Sequence, residues 1–272
     1  MNKMIILFLL IALSGTVHSQ DVARISDSIT AKGKKLYHSE MASWYGTDIF
    51  VEKFKETTNQ SGGYFSYEVP PFTRCVFFSR DEIPKALVTI SFDSTYQTTT
   101  AQVDDKQRDL TADETILFTL RKKTMAIIRQ DSLFKTYNNT DFNVIPLIDN
   151  GSREVYVLTG PKATGVVIFG NDYLLSFDQD NNLVNKTRIH RNIIPVNYSQ
   201  KKEKEVGAIH MHLPDTGEFM TATDICTLLL YEKFAKWEQH IVVSEKWLSI
   251  WSCTTDHLTI VPKNAIDKDK GK

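Results

Sequence analysis

Three side chains near the C-terminus have the types and spacing of a metal site: His210, His212 and Asp224. If His210 and His212 lie on a strand, they point to the same face, with Cβ atoms about 6.5–7 Å apart. Both imidazoles can then reach one ion at about 2.0–2.1 Å, and Asp224, at the start of a predicted helix, supplies a third ligand. Three protein ligands and one open position are typical of catalytic zinc, whose bound water becomes a nucleophile near neutral pH.

A threonine before Asp224 extends this pattern. The segment contains His210-x-His212, then a loop, then Thr221-x-x-Asp224 at the start of a helix that is followed by two apolar strands. Over about residues 207–253 it resembles the JAB/MPN (JAMM) metallopeptidase motif, which consists of His-x-His, a short loop and Ser-x-x-Asp. The resemblance implies a zinc-dependent hydrolase of peptide or isopeptide bonds. It implies that His210, His212 and Asp224 bind the zinc, and that Thr221 replaces the family serine that helps to stabilise the oxyanion.

The sequence departs from the family pattern in three places. Leu213 separates His212 from Pro214, where the family has proline directly after the second histidine. The stretch before the two histidines has the pattern of a β-meander, whereas the family has a helix there. The family's catalytic glutamate lies upstream, and Glu154, on a strand-like segment, is the candidate at a suitable distance. We therefore predict Glu154 as the general base, because hydrolysis needs a group that accepts the proton of the water. Thr221 is the second predicted catalytic residue.

The same residues also fit a structural role. Thr221 and Asp224 match a capping box, in which the threonine caps the helix and the aspartate lies in its first turn. Thr223 could equally be the N-cap, and His210 and His212 could lie on the polar face of an exposed strand. On this alternative hypothesis the chain is a non-catalytic exported α+β protein that holds no metal and binds a partner or a surface glycan.

Residues 1–19 have the three parts of a cleavable signal peptide. Lys3 gives the positive charge, an apolar run follows from Met4 to Leu13, and Val17-His18-Ser19 offers small residues before a cut near Ser19/Gln20. The apolar run is ten residues long, half of the ~20 residues that a membrane-spanning helix needs. No cysteine follows the cut directly, and no later segment is long and apolar enough to span a membrane. We therefore predict a soluble mature protein that is secreted or periplasmic.

The composition is that of a globular protein, with 42% hydrophobic residues, 24% charged residues and a formal net charge of -1. A nearly neutral chain does not indicate binding to nucleic acid or to an anionic membrane surface. The partner that the predicted chemistry suggests is a peptide or protein substrate. Three cysteines, Cys75, Cys226 and Cys253, are too few and too widely spaced for a disulfide framework. A Cys226–Cys253 pair and three buried free thiols both remain open.

Hydrophobic periodicity divides the mature chain into the helices and strands of an α+β protein. Residues 22–57 are predicted as a helix with an early break or fraying at Gly33. Residues 111–130 are predicted as a second helix that begins with the capping box Thr111/Glu114. Between the two helices we predict antiparallel strands at 64–69, 75–79, 87–95 and 98–103.

After residue 140 the hydrophobic pattern has the period of two that is typical of strands. We predict a β-meander, a polar loop at 197–205 and a β-α-β-β segment that carries the metal-site motif. The predicted strands are 153–159, 165–169, 173–178, 183–190, 208–213, 241–244, 248–252 and 258–261, and the predicted helix is 223–237. The predicted organisation is an N-terminal α+β region at 20–140, a β-rich C-terminal region at 141–262 and a polar tail at 263–272.

Overall fold

The computed structural model describes residues 3–198 and 207–267, with side chains for 20–198 and 207–265. Helices and mainly antiparallel sheets make up the described chain. The predicted α+β class is therefore confirmed.

The chain forms two compact units. We call residues 35–200 the central unit, and we call Met1–Lys34 together with Lys201–Lys272 the terminal unit. The predicted division into regions 20–140 and 141–262 stays a prediction, because compactness does not show which segments fold on their own.

The central unit begins with a helix and a sheet. Helix α1 (Lys3–Lys53) starts in the terminal unit and ends in the central unit, where the short α2 (Lys55–Thr58) follows it. Five strands come next: β1 (Ser61–Val69), β2 (Phe72–Ser79), β3 (Lys85–Phe92), β4 (Gln102–Asp104) and β5 (Arg108–Asp109). They form an antiparallel sheet of order β1-β2-β3-β4, with β5 beside β3. Ile49 and Phe50 of α1 pack on this sheet and form one apolar core.

Helix α3 (Ala112–Gln130) begins with the predicted capping box. The Thr111 hydroxyl accepts a hydrogen bond from Glu114 N, and the Glu114 carboxylate accepts one from Thr111 N. Six strands follow: β6 (Thr140–Asp149), β7 (Ser152–Pro161), β8 (Val166–Gly170), β9 (Tyr173–Phe177), β10 (Leu183–Arg188) and β11 (Ile193–Asn197). Leu120 of α3 packs on the antiparallel sheet of order β10-β9-β7-β6, and β11 pairs with β8. The strand predicted at 165–169 is present as β8, but it pairs with β11 and does not join the other three predicted meander strands. The strands β6 and β11 are not predicted from the sequence.

The terminal unit contains the start of α1 and a four-stranded sheet. Its later elements are β12 (Gly207–Met211), α4 (Ala222–Ala235), β13 (Gln239–Val243), β14 (Trp247–Ser252), β15 (His257–Pro262) and α5 (Asn264–Asp267). The sheet order is β12-β13-β14-β15. β12 and β13 are parallel, with α4 as the connection between them, and the other pairs are antiparallel. The predicted strand-helix-strand succession is confirmed.

Gly33 does not break α1, contrary to the prediction. A Cβ atom at this position would lie 2.5 Å from the Cβ and Cγ2 atoms of Ile225 and 3.0 Å from the carbonyl oxygen of Ala222. Glycine therefore lets α1 approach the first turn of α4 more closely than any residue with a side chain could. The glycine serves the contact between two helices and does not mark a helix end.

Three further predictions concern the cysteines, the N-terminal signal peptide and the polar loop at 197–205. Cys75, Cys226 and Cys253 all lie in the described part of the chain and are free thiols, so a Cys226–Cys253 bond is not formed. The predicted signal peptide falls outside the residues whose side chains are described, and most of the predicted loop at 197–205 falls outside the described residues. Among the described helices, none combines the length and the apolar character needed to span a membrane.

Candidate metal centre

Strand β12 carries both histidines of the predicted site on its buried face. His210 and His212 are 5% and 6% exposed, whereas Ile209 and Met211, which alternate with them, are 66% and 70% exposed. The alternative expectation that the histidines lie on an exposed polar face is therefore wrong. This is the reverse of the usual alternation of a half-buried strand, which turns its apolar side chains inwards. Because a buried imidazole without a polar partner is costly, the reversal indicates that polar groups hold the histidines inside.

The ring nitrogens of the two histidines converge with the carboxylate of Asp224. Nε2 of His210 and Nε2 of His212 are 3.2 Å apart. Asp224 Oδ2 lies 3.3 Å from His212 Nε2, and Asp224 Oδ1 lies 3.7 Å from His210 Nε2. Donor atoms bound to a tetrahedral zinc ion are about 3.3–3.6 Å from one another, given zinc-donor distances of about 2.0–2.2 Å. The buried group of His210, His212 and Asp224 could therefore hold a metal ion.

Asp224 is fixed at the start of α4 by a capping box. Asp224 Oδ2 accepts hydrogen bonds from Thr221 N at 2.9 Å and from Thr221 Oγ1 at 2.8 Å, and Thr221 Oγ1 accepts one from Asp224 N at 3.2 Å. Thr221, and not Thr223, is the N-cap. The same carboxylate thus caps the helix and faces the histidines, so these two roles, which the sequence presents as alternatives, are compatible.

A third imidazole, which the sequence pattern does not mark, belongs to this cluster. His240 lies on β13, is fully buried, and has its Nε2 atom 2.9 Å from His210 Nδ1. Burial, and then the neighbouring His210, lower the pKa of His240 to about 3, so its ring is neutral. The contact depends on the parallel register, in which His210 lies opposite Val242 and His240 opposite Ala208. A sequence does not reveal the register of a parallel pair, and no other signal marks His240.

Two local contacts position the strand and the loop of the site. At Gly207 φ is +155°, and a Cβ atom there would lie 1.7 Å from the carbonyl oxygen of Gln239. Only glycine therefore lets β12 pair with β13 at this point. In the loop before α4, the N–H of Met220 donates to Ser249 Oγ at 3.0 Å, and both residues are buried. This hydrogen bond ties the loop that leads to Asp224 to strand β14.

Glu154, the predicted general base, lies on β7 of the central unit. Its Cα atom is paired with Leu147 of β6 on one side and with Ser176 of β9 on the other. The side chain is half-buried. The roles of Glu154 as general base and of Thr221 beside an oxyanion stay predictions.

The central unit contains a buried imidazole-carboxylate pair of its own. The N–H of His190 donates to Asp172 Oδ1 at 2.9 Å, and His190 Nδ1 lies 2.7 Å from the same oxygen. Both residues are buried. A carboxylate at Nδ1 places the proton of a neutral ring on that nitrogen, which fixes the tautomer of His190.

No family model, no curated protein and no solved structure is similar enough to this chain to count as a match. The likeness to the JAMM motif therefore rests on the residues of the segment itself.

Proposed function

We propose that this protein is an exported zinc-dependent hydrolase of peptide or isopeptide bonds, with a JAMM-like site formed by His210, His212 and Asp224. The observation that carries the proposal is the convergence of their donor atoms at separations of 3.2, 3.3 and 3.7 Å. Without a proton or a cation between them, the lone pairs of such closely spaced, buried donors would repel one another. A bound cation removes this repulsion and explains why two histidines face inwards.

The donor set favours zinc. Two imidazole nitrogens and one carboxylate oxygen are ligands that zinc takes in catalytic sites, where three protein ligands leave a fourth position open. When bound, zinc would lower the pKa of a water molecule to about 7 and so provide the nucleophile for hydrolysis. Because imidazole also suits copper, nickel and iron, the experiments compare zinc with these ions.

Thr221 and Glu154 have separate tasks in this proposal. The Thr221 hydroxyl donates to Asp224 Oδ2 at 2.8 Å and so keeps the third ligand in place. By the resemblance to the family, the same hydroxyl takes the place of the serine beside the oxyanion; because a hydroxyl has a single proton, it would donate to the oxyanion in place of Asp224 Oδ2. Glu154 would accept the proton of the attacking water, which a hydrolase needs in addition to its metal.

Export is supported by the N-terminal residues. A lysine, an apolar run of ten residues and small residues before Gln20 match the order of a signal peptide. A mature chain that begins near Gln20 retains Gly33, whose contact with Ile225 belongs to the terminal unit. Secretion into the medium and retention in a periplasm both agree with this leader.

A second candidate function is favoured by the hydrogen bonds of Asp224. Its bonds to Thr221 complete the start of α4 without any metal. In this second candidate the chain is a non-catalytic exported α+β protein that binds a partner, and the histidine cluster only stabilises the terminal unit. The two candidates differ in metal content and in hydrolytic activity.

Metal content is the first test. We would export the full chain from a bacterial host, purify the mature form, and measure zinc, copper, nickel and iron by mass spectrometry. We expect about one zinc ion per chain, as in a single site of this type, and loss of the zinc in His212→Ala. His257→Ala is the matched control, because His257 is exposed on β15 and should keep the zinc. A wild type without stoichiometric metal, together with an unchanged melting temperature of His212→Ala in added zinc, would overturn the proposal.

Hydrolysis is the second test. The zinc-loaded protein is incubated with unfolded protein substrates and with isopeptide-linked peptides, and new amino termini are counted by mass spectrometry. We expect cleavage by the wild type, and we expect Glu154→Gln to retain zinc and lose cleavage. A chain that holds zinc and cleaves none of these substrates would overturn the hydrolase assignment and leave the ion a structural role.

A further inference from the structure

His210 has two ring nitrogens, and each faces a different partner. Nε2 lies 3.2 Å from His212 Nε2 and 3.7 Å from Asp224 Oδ1, on the side of the proposed metal. Nδ1 lies 2.9 Å from His240 Nε2. One nitrogen of the ring therefore faces the proposed metal, and the other faces His240.

The tautomers of the two rings follow from this arrangement. A metal ligand must offer a lone pair, so His210 Nε2 carries no proton when it binds an ion, and the proton of the neutral ring is on Nδ1. At 2.9 Å from its neighbour, that N–H donates to His240 Nε2, which must be an acceptor. His240 meets this requirement when its own proton is on Nδ1.

The position of His240 is fixed by the fold around it. It is fully buried on β13, and the ring of Trp237 lies 5.8 Å from its own ring, centroid to centroid. The parallel register of β12 and β13 places Ala208 opposite His240, two residues before His210 on the neighbouring strand. A ring held in this way presents its Nε2 atom to His210 in a constant orientation.

We propose that His240 is a positioning residue for the metal site: it accepts the His210 Nδ1 proton and so aims the His210 Nε2 lone pair at the ion. This inference rests on the proposed function, because it assigns His210 as a ligand. Outer partners of metal-bound histidines fix the ring orientation and raise the basicity of the ligand, and their loss lowers metal affinity 10–100-fold. His240 would have this effect without touching the metal.

Two amide substitutions separate positioning from general packing. In His240→Gln the amide oxygen reaches about as far as Nε2 of histidine and can still accept the His210 proton, whereas in His240→Asn the shorter side chain reaches only about as far as Nδ1. Both variants are polar and neutral, so they remove the ring in a comparable way. The zinc affinity of each full-length mature variant is measured by competition with a chromophoric chelator, and the fold without metal is checked by circular dichroism.

We expect His240→Gln to keep most of the wild-type affinity and His240→Asn to lose 10–100-fold. Long-range proton-nitrogen NMR spectra of the imidazoles in the metal-free proteins supply a second readout, in which His210 is the Nδ1–H tautomer in the wild type and in His240→Gln but not in His240→Asn. Equal affinities and equal tautomers in the two variants would overturn the inference while the proposed function stands. A wild type that binds no metal would instead overturn the proposed function, and the tautomers would still report whether His240 orients His210.

Discussion

Thr221 and Asp224 hold each other through three hydrogen bonds at the start of α4, and the Asp224 oxygen that accepts two of them lies 3.3 Å from His212 Nε2. The N-cap therefore orients a carboxylate that would otherwise be free to rotate. A ligand that is already in position loses little conformational freedom when it binds an ion. The capping box thus contributes both to the stability of α4 and to the preorganisation of the proposed metal site.

Asp224→Asn separates the capping role from the ligand role. The asparagine side-chain oxygen can still accept the hydrogen bond from Thr221 N, so we expect a small change in melting temperature without metal. The negative charge is lost, so the stabilisation by zinc should be lost too. For the wild type that stabilisation is about 2.7 kcal/mol at a zinc concentration of 100 times Kd. Thermal unfolding with and without zinc checks this, with Asp215→Asn, an exposed residue of the loop before α4, as control. An equal zinc effect in Asp224→Asn and wild type would contradict the assignment.

Replacing Thr221 tests the effect of the cap on the site. Thr221→Val keeps the shape and removes the hydroxyl, so we expect a loss of about 1 kcal/mol of unfolding free energy and a weaker zinc affinity. Thr221→Ser keeps the hydroxyl and should preserve both. Chemical denaturation and chelator competition measure the two quantities. If Thr221→Val binds zinc as tightly as Thr221→Ser, the cap does not orient the ligand.

Gly207→Ala tests the strand pairing that supports His210. The added Cβ atom would lie 1.7 Å from the Gln239 carbonyl oxygen, so the start of β12 must move away from β13. We expect a lower melting temperature and a weaker zinc affinity. Gly217→Ala is the control, because Gly217 also has a positive φ but has no atom within 4 Å of the added Cβ position. Equal effects of the two substitutions would show that backbone strain, and not the clash, is responsible.

Glu232→Gln tests a pH dependence in the terminal unit. Glu232 is buried and accepts a hydrogen bond from Trp251 Nε1 at 2.9 Å. Burial raises its pKa to about 7; its hydrogen bonds to Trp251 and Cys253 lower it, and the nearby Asp256 raises it further. Between about pH 4.3 and about pH 7 the Glu232 carboxyl is therefore protonated in the folded protein. In the unfolded chain, where a carboxyl has its ordinary pKa near 4.3, it has lost its proton.

The contribution of Glu232 to stability is complete below about pH 4.3 and is lost as the pH rises through about 7. The slope is at most about 1.4 kcal/mol per pH unit. We therefore expect Glu232→Gln to gain unfolding free energy relative to wild type between pH 5 and pH 8 in urea titrations. Burial also raises the pKa of Glu40 in the central unit to about 7, so only the difference between the two proteins reports on Glu232. A constant difference would contradict the shift, and Glu245→Gln, an exposed residue, is the control.

The sequence predicts most of the elements because their signals are local. Thr111 and Thr221 are marked as N-cap candidates by the acidic residue three positions later, and both capping boxes are present. The strands of the terminal unit follow from alternation of side chains along the chain. The triad of His210, His212 and Asp224 could be proposed for the same reason, since spacing along one strand and one helix start is enough.

The features that the sequence does not predict depend on distant partners. β6 contains Pro146 and β11 contains Pro195, and a proline argues against a strand because it cannot donate to the ladder. His240 acquires its role only from the register of β12 with β13. Gly33 is a typical helix breaker, and only the proximity of Ile225 explains its place inside α1. In each of these cases the structure depends on contacts between residues that are distant in the sequence.

The contact of Gly33 with Ile225 joins segments from opposite ends of the chain. A polypeptide is synthesised from its N-terminus, and a chain that is secreted through a membrane channel in the same order delivers residue 33 long before β12 and α4. The terminal unit of such a chain can close only after nearly all of it has crossed. Under the proposed function, such a chain would acquire its zinc outside the cytoplasm, and the metal supply of that compartment would limit the number of zinc-loaded molecules.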